Sequence, residues 1–469
     1  MASEPRDGLP LAARRRSMAV ILLGMVVSVL DSTVITLALP GIARDLQSAP
    51  AASVWIINGY QLVSLALLLP FAALGDRVGH RRVYLLGTAL FTFASALCFV
   101  ANSLPALVLA RCLAGVGAAG LMSANGALLR LTVPRRLFAQ SIGINAAVIA
   151  ASSVAGPSVA AAVLSVATWP WLFMLNLPTG LLILVVGWFV LPANEHDQAQ
   201  QERIPGMDVL LNVLMFSLVV LGAQSLGGLV GAPRGGLEMA GPLALLGAGL
   251  LVGVVHLRRQ LHRRHPLFPV DLLRIPLFAL SIGTSVTSFA AQTLAFVALP
   301  FLLLDVWHLN PGQAGLLLTA WPLAVVVAAP VAGRLLARYP GGLLGAVGLA
   351  AMSLGLLLLA LLPQAPDSLA IAWRLALCGL GFGLFQSPNN HTLLTTAPLH
   401  RSGAAGGMLG TARLTGQTLG AVSLVFVFSL AHGAAGRGPL FALGLASVFA
   451  ALASTVSALR LRYQRRPAA

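Results

Sequence analysis

The sequence predicts an all-α membrane protein built as two six-helix bundles plus two extra transmembrane helices, fourteen spans in all. Three observations predict it. Of the 469 residues, 58% are hydrophobic and only 9% are charged, whereas about a quarter of an average soluble domain is charged. Fourteen apolar runs are long enough to cross a hydrocarbon core of about 30 Å. The basic residues, every one an Arg, sort onto alternate loops.

The runs cover roughly 18–40, 53–74, 82–101, 104–128, 138–164, 169–192, 207–230, 238–257, 275–304, 312–336, 341–362, 368–394, 402–430 and 438–460. Two of them, 207–230 and 238–257, are Gly-rich and are joined by GAPRGGLE. Helices are expected because a helix satisfies its own backbone polar groups in lipid. The alternating ten-residue pattern of an outer-membrane barrel is absent.

Placing the N-terminus in the cytoplasm puts Arg44, Arg234 and Arg437 outside and Arg111, Arg374 and Arg413 within spans, and leaves the other 23 of the 29 basic residues on the cytoplasmic side. That bias is the positive-inside rule. It fixes both termini as cytoplasmic in a multi-pass protein of the cell membrane. It also accounts for the net charge of +16 without a nucleic-acid partner. The opening segment MASEPRDGLPLAARRRS leads straight into a full-length span and shows no cleavable signal. Cys98, Cys112 and Cys378 sit in apolar runs without disulfide or metal spacing, so they read as small buried hydrophobes and no metal site is expected. A chain without Lys has no phosphate-binding Gly-x4-Gly-Lys-Ser/Thr loop, which argues against ATP-driven work by this chain alone and leaves no expected cofactor except a coupling proton.

Two polar stretches, ANEHDQAQQERIPG at 193–206 and HLRRQLHRRHPLFPV after the eighth run, bracket the Gly-rich pair. The expected organisation is a bundle over 1–192, cytoplasmic linkers and two extra helices over 193–274, and a second bundle over 275–469. Six plus six points to a duplicated transporter. One echo supports it: GDRVGHRR follows the second run, and GRLLARYPGG, 333–342, follows the second run of the later half.

Certain stretches carry more specific chemistry. In AALGDRVGHRR (72–82), Gly75 and Gly79 permit close backbone approach, and Asp76 can cap a helix or pair with Arg77 or Arg81. The plain alternative is an ordinary positive-inside loop. In LARCLAGVGAAG (109–120), Arg111 lies inside a span, where Arg faces a polar interior or a partner, or snorkels to the nearer interface. In GINAAVIAASSVAGPSVAAAV (143–163), small residues allow close helix packing and Pro157 allows bending.

These stretches resemble signatures of the major facilitator superfamily, and LDSTVITLALP in the first run resembles a mark of its fourteen-span drug:proton antiporters. The resemblance covers nearly the whole chain. It implies a major facilitator fold. It also implies that Leu74, Asp76, Arg77, Gly79 and Arg81, with Gly75 in place of the usual Ala, form the conformational loop. Arg111 falls on the family's Arg-x-x-Gln-Gly motif, linked there to proton transfer, with Ala114 replacing Gln. Gly143, Gly156 and Pro157, with Ser152 replacing a Gly, fall on the motif associated with exporters. Other matches are WIINGYQLV (55–63), WPWLFMLNLPTG (169–180), NPGQAGLLLTAWPL (310–323) and the segments within 381–420. Among their polar residues, Asn58, Tyr60, Gln61, Asn145, Gln292, Gln386, Asn389 and Asn390 either line a cavity or form interhelical hydrogen bonds.

Of the 13 acidic residues, only Asp31 lies well inside a span. It sits about thirteen residues in, or roughly 20 Å at 1.5 Å per residue. An ionised carboxylate at that depth costs several kcal/mol unless paired or hydrated. A proton or a cationic substrate can neutralise it, and a site that takes one or the other gives exchange. The alternative is that Asp31 braces a kink with Ser32 and Thr33. Asp305, near the external end of the ninth run, is a second candidate or an ordinary interfacial carboxylate. Arg413, in the thirteenth run, is its electrostatic counterweight or organises the later half. Asp208 opens the seventh run, where a first-turn acid complements the helix dipole.

The expected activity is proton-coupled export of hydrophobic, cationic or amphipathic compounds by alternating access, as in multidrug efflux. Its partners are a small hydrophobic molecule, protons and the lipid bilayer, and one chain suffices as a monomer. The alternatives are a dedicated exporter of one endogenous product, such as an antibiotic or a siderophore, and a non-transport lipid-handling protein. The last would need polar catalytic clusters or an appended soluble domain, and neither is visible.

Overall fold

The computed structural model describes residues 8–134, 137–192, 206–229, 236–261, 268–336, 338–363, 366–397, 402–431 and 437–464, and every regular element among them is a helix. The first half contains α1 (Leu11–Asp45), α2 (Trp55–Val78), α3 (His80–Val100), α4 (Leu104–Thr132), α5 (Phe138–Leu164) and α6 (Asn176–Val190). A hairpin of α7 (Gly206–Leu229) and α8 (Gly236–Leu261) follows. The second half contains α9 (Pro276–Phe301), α10 (Pro311–Leu335), α11 (Gly341–Ala360), α12 (Ser368–Thr396), α13 (Ser402–Leu430) and α14 (Gly438–Leu459). Thirteen helices among the described residues are long and apolar enough to cross a membrane, and each falls on a run read from the sequence. The run at 138–164 is helical as α5, with several of its side chains outside the described set.

Local chemistry sets the breaks. Gly79 separates α2 from α3 at φ 101°, a left-handed conformation that glycine adopts without a Cβ penalty. Asn310 caps α10 by accepting the Gln313 N–H at 2.8 Å, and Pro311 supplies the first-turn position that needs no donor. α1 begins at Leu11, ahead of the apolar run, because nothing in LAARRRS breaks a helix.

The two halves repeat one packing scheme. In the first, α1 packs on α5 and α6, α4 on α2 and α3, and α3 on α6; in the second, α9 packs on α13 and α14, α12 on α10 and α11, and α11 on α14. The seams between halves repeat as well, α5 against α10 and α2 against α13. Close approach is built the same way twice. A Cβ on Gly117 of α4 would stand 2.6 Å from the Gly87 carbonyl oxygen of α3, and one on Gly381 of α12 would stand 2.3 Å from the Gly348 oxygen of α11. Small residues at a helix crossing let backbones touch, which is the main source of packing where lipid removes the hydrophobic drive.

The apolar core differs between the two ends of the molecule. At the end where α1 finishes, Val34, Leu37 and Ile42 share one core with Leu299, Phe301 and Leu302 of the other half. Where α1 begins, each half keeps its own core, around Ile21, Tyr84 and Leu128 in one and Phe278, Leu393 and Met408 in the other. Large apolar side chains cover the outside, with Leu86, Leu316 and Phe189 at 72%, 74% and 80% exposure, as a lipid-facing surface requires.

The α7–α8 hairpin rests on the α2/α13 seam. Asn212 of α7 donates to the Ala66 carbonyl at 2.8 Å, and Asn58 of α2 donates to Gln224 of α7 at 2.6 Å. Val220 meets Leu62 and Val422 in an apolar contact. Asp208 lies in the first turn of α7, as the sequence indicates. It is buried and paired with Arg259 of α8 at 3.1 Å.

Replacing Gly117 by Leu forces side-chain volume against the α3 backbone. We expect a loss of about 3 kcal/mol or more, measured as a lower midpoint in detergent unfolding of the purified protein, with Gly126→Leu, where nothing lies within 4 Å of a Cβ, as the near-neutral control.

Candidate functional site

Asp31 lies at mid-α1 and is 4% exposed. Its Oδ2 accepts from Arg111 Nη1 of α4 at 2.7 Å, and its Oδ1 accepts from Asn176 Nδ2 of α6 at 2.8 Å. Asn176 also reaches Ser95 Oγ of α3 at 3.3 Å. The Arg111 Nε donates to the Ile56 carbonyl at 3.3 Å, and its guanidinium lies 4.2 Å from the Tyr60 ring centroid and 5.9 Å from that of Phe173. One acid thus ties α1, α4 and α6 together with both oxygens occupied. Asp31 does not brace a kink through its neighbours; Ser32 and Thr33 bond back to the Val29 carbonyl instead.

This geometry amends the sequence expectation. Asp31 does not stand free: Arg111 and Asn176 occupy its two oxygens, so a proton or a cationic molecule has to compete with Arg111 for it. Arg111 reaches inward to Asp31 rather than snorkelling outward. A buried ion pair is costly to break by removing one partner, which leaves about 3–5 kcal/mol of uncompensated charge. It responds sharply to anything that changes the charge on either side.

The remaining candidates are dispersed. Asp305 sits in a π-helical turn, Leu302–Val306, after α9, exposed and with Arg44 and His308 as charged neighbours, far along the chain axis from Asp31. Arg413 of α13 lies with its guanidinium 5.9 Å from the Phe289 ring centroid, pairs with no acid among the described residues, and is no counterweight to Asp305. Asn58 and Asn389 brace helices rather than line a cavity: Asn58 bonds α7, and Asn389 donates to Ser285 while accepting from Arg460 at 2.8 Å. Tyr60 and Gln61 are nearly buried, and Asn145, Gln292, Gln386 and Asn390 are partly exposed.

The stretch read as a loop is helical up to Val78 and broken only at Gly79; at the end of α2, Gly75 is buried where a Cβ would stand 2.4 Å from the His80 ring, and Leu74 and Arg77 are partly exposed. Arg81 donates to the Trp188 carbonyl and covers its ring, which ties it to α6 of its own half. The side chain of Asp76 lies outside the described residues, as do those of Gly143 and Pro157. Ser152 is buried and bonds back to the Val148 carbonyl, and a Cβ on Gly156 would stand 2.1 Å from Thr33 Oγ1 of α1.

Sequence reasoning missed Asn176 and Ser95. The signal for Asn176 was present, since it is a lone amide at the head of an apolar helix inside WPWLFMLNLPTG. His256 of α8, 2% exposed with neither ring nitrogen hydrogen-bonded, carried no comparable signal.

Comparison with known proteins agrees with the architecture. The uncharacterized transporter YebQ of Escherichia coli is 45% identical over 98% of this chain and 98% of its own. The riboflavin transporter RibZ of Clostridioides difficile is 30% identical over 86% of this chain and 85% of its own. The tetracenomycin C resistance and export protein of Streptomyces glaucescens is 32% identical over 86% of this chain and 74% of its own. The crystal structure of a peptide transporter, POT, in complex with sulfate shares the fold, with a TM-score of 0.69, 16% identity, and coverage of 96% of this chain and 94% of that one. The sequence model of the Major Facilitator Superfamily matches residues 21–421. With that match over most of its length, the chain is a multi-span membrane protein and belongs to the Major Facilitator Superfamily, a family of transporters.

Proposed function

We propose that this chain is a fourteen-helix, proton-coupled antiporter of the cell membrane, with both termini cytoplasmic, that exports hydrophobic amphipathic compounds by alternating access. The observation that carries this reading is the buried Asp31–Arg111 pair at 2.7 Å. Asp31 has two ways to be neutralised, by Arg111 or by a proton. A proton arriving there cancels the attraction. Arg111 then keeps its contact with the Tyr60 face, 4.2 Å away, and turns toward the space between the halves. Protonation thereby turns a neutral pair into an unpaired Arg111 cation that faces the substrate, and a site that alternates between these two charges is what exchange requires.

The packing supports a rocking motion. The halves share a core at the end where α1 finishes and keep separate cores at the other, where α2 and α13 still touch. Under the orientation that the Arg sorting predicts, this is the state open to the cytoplasm. Export rather than import is supported by the names of relatives, which include a tetracenomycin C resistance and export protein and a multidrug efflux pump, LfrA, of Mycolicibacterium smegmatis. A second reading is export of one dedicated compound. It is favoured by relatives named for single molecules, such as the probable actinorhodin transporter of Streptomyces coelicolor.

Asp31→Asn is expected to reduce proton-driven efflux to background in proteoliposomes subjected to a pH jump, with the protein still inserted; normal export by that variant rules Asp31 out as the coupling group. Asn176→Ala removes one hydrogen bond to a charged group, worth about 1.5–3 kcal/mol, and is expected to slow the same efflux about tenfold or more without abolishing it.

A further inference from the structure

Arg413 is the twelfth residue of α13, which places it near the middle of the bundle. Its neighbours on the helix define where it points. Gly407, Gly410 and Leu414 meet Leu69, Leu68 and Leu65 of α2 in the first half. Gly416 and Gly420 meet Val286, Phe289 and Ala290 of α9. At 3.6 residues per turn, position 413 falls between these two faces and looks into the wedge where the halves meet. Two turns back on the same line, Gly406 is exposed and has nothing within 4 Å of where a Cβ would stand. The wedge is therefore open beside Gly406, and Arg413 is itself partly exposed.

The charges in this wedge do not balance. Tyr60 carries the Arg111 guanidinium over its ring, and the charge of Arg413 is also near enough to act on it. The nearby carboxylate, Asp31, has both oxygens taken by Arg111 and Asn176. Arg413 makes no ion pair or hydrogen bond among the described residues, and its Nε is buried without a partner. Its ring contact is with Phe289. Arg does not give up its proton, so a cation held in so little water calls for an anion. Planar donors beside an aromatic face, that of Phe289, match a carboxylate, sulfonate or phenolate carried on an aromatic body.

We infer that Arg413 receives the anionic group of an aromatic, amphipathic substrate, with Phe289 and Tyr60 holding its apolar part. This rests on the transport reading above and reverses the sign of charge that the lone in-span acid leads one to expect.

A size-matched pair of probes tests it on the full-length protein in detergent: 1-naphthoate as the anion and 1-naphthylmethylammonium as the cation, each titrated calorimetrically. Wild type is expected to bind naphthoate and not the ammonium. Arg413→Gln is expected to weaken naphthoate about tenfold to a hundredfold, the effect of losing charge-assisted hydrogen bonds, with Arg413→Lys recovering part of the loss. Preference for the ammonium, or naphthoate binding unchanged in Arg413→Gln, overturns the inference. So does chloride binding that naphthoate cannot displace, which marks Arg413 as an inorganic counter-ion site only. If Arg413→Gln does not fold, the wild-type preference and the Arg413→Lys titration decide. The two readings fail separately: Arg413-dependent naphthoate binding without any proton-driven efflux sinks the transport reading alone, and proton-driven export of cations only sinks this inference alone.

Discussion

A carboxylate in hydrocarbon is stable only where a cation and a donor meet both of its oxygens, and in this protein that requirement organises half of the molecule. Arg111 and Asn176 reach Asp31 from α4 and α6, at 2.7 and 2.8 Å, so three helices must converge at one depth. The alternative is an unpaired charge in a medium of low dielectric, where the penalty reaches several kcal/mol. The Ser95 contact and the Ile56 carbonyl extend the cluster to α3 and α2. Functionally, the same stringency makes the cluster sensitive. A group that is held by charge alone is released when the charge is removed.

Among the described residues the second half shows no such anchor and is held differently. Its crossings rest on backbone contact, as where Gly348 and Gly381 bring α11 against α12, and Gly379 brings α12 against α10. The polar ties there are neutral or lack a carboxylate, such as Ser353 to Ser447 and Arg460 to Asn389. The two halves thus share a plan of packing while differing in electrostatics. The first carries a balanced pair and the second an unbalanced cation at the seam.

Much of this was legible in the chain. Hydropathy located the spans because the bilayer imposes one length on all of them. Asp31 stood out for the same reason, as an expense that needs an explanation. Its partners did not stand out to the same degree. Arg111 and Asn176 lie 80 and 145 residues away, and which side chains meet depends on helix rotation and crossing, which apolar periodicity scarcely records when a helix is hydrophobic all round. Asp208 was legible in part for a related reason: its place at a helix start showed, but its partner Arg259, which the hairpin folds back onto it, did not. Asn58 and Asn389 were ambiguous because an amide serves equally well for lining a cavity or stapling helices.

The hairpin of α7 and α8 leaves the protein lopsided. Two amide hydrogen bonds bolt α7 to α2, whereas its contact with α13 is apolar and free to slide. A hairpin so attached must ride with the first half when the halves move. It roofs the α2/α13 seam, while among the described residues no helix lies over the α5/α10 seam, where the two halves pack on each other directly. A greasy molecule arriving sideways from the bilayer therefore meets two unlike flanks, one shuttered by the hairpin and one closed by the halves alone.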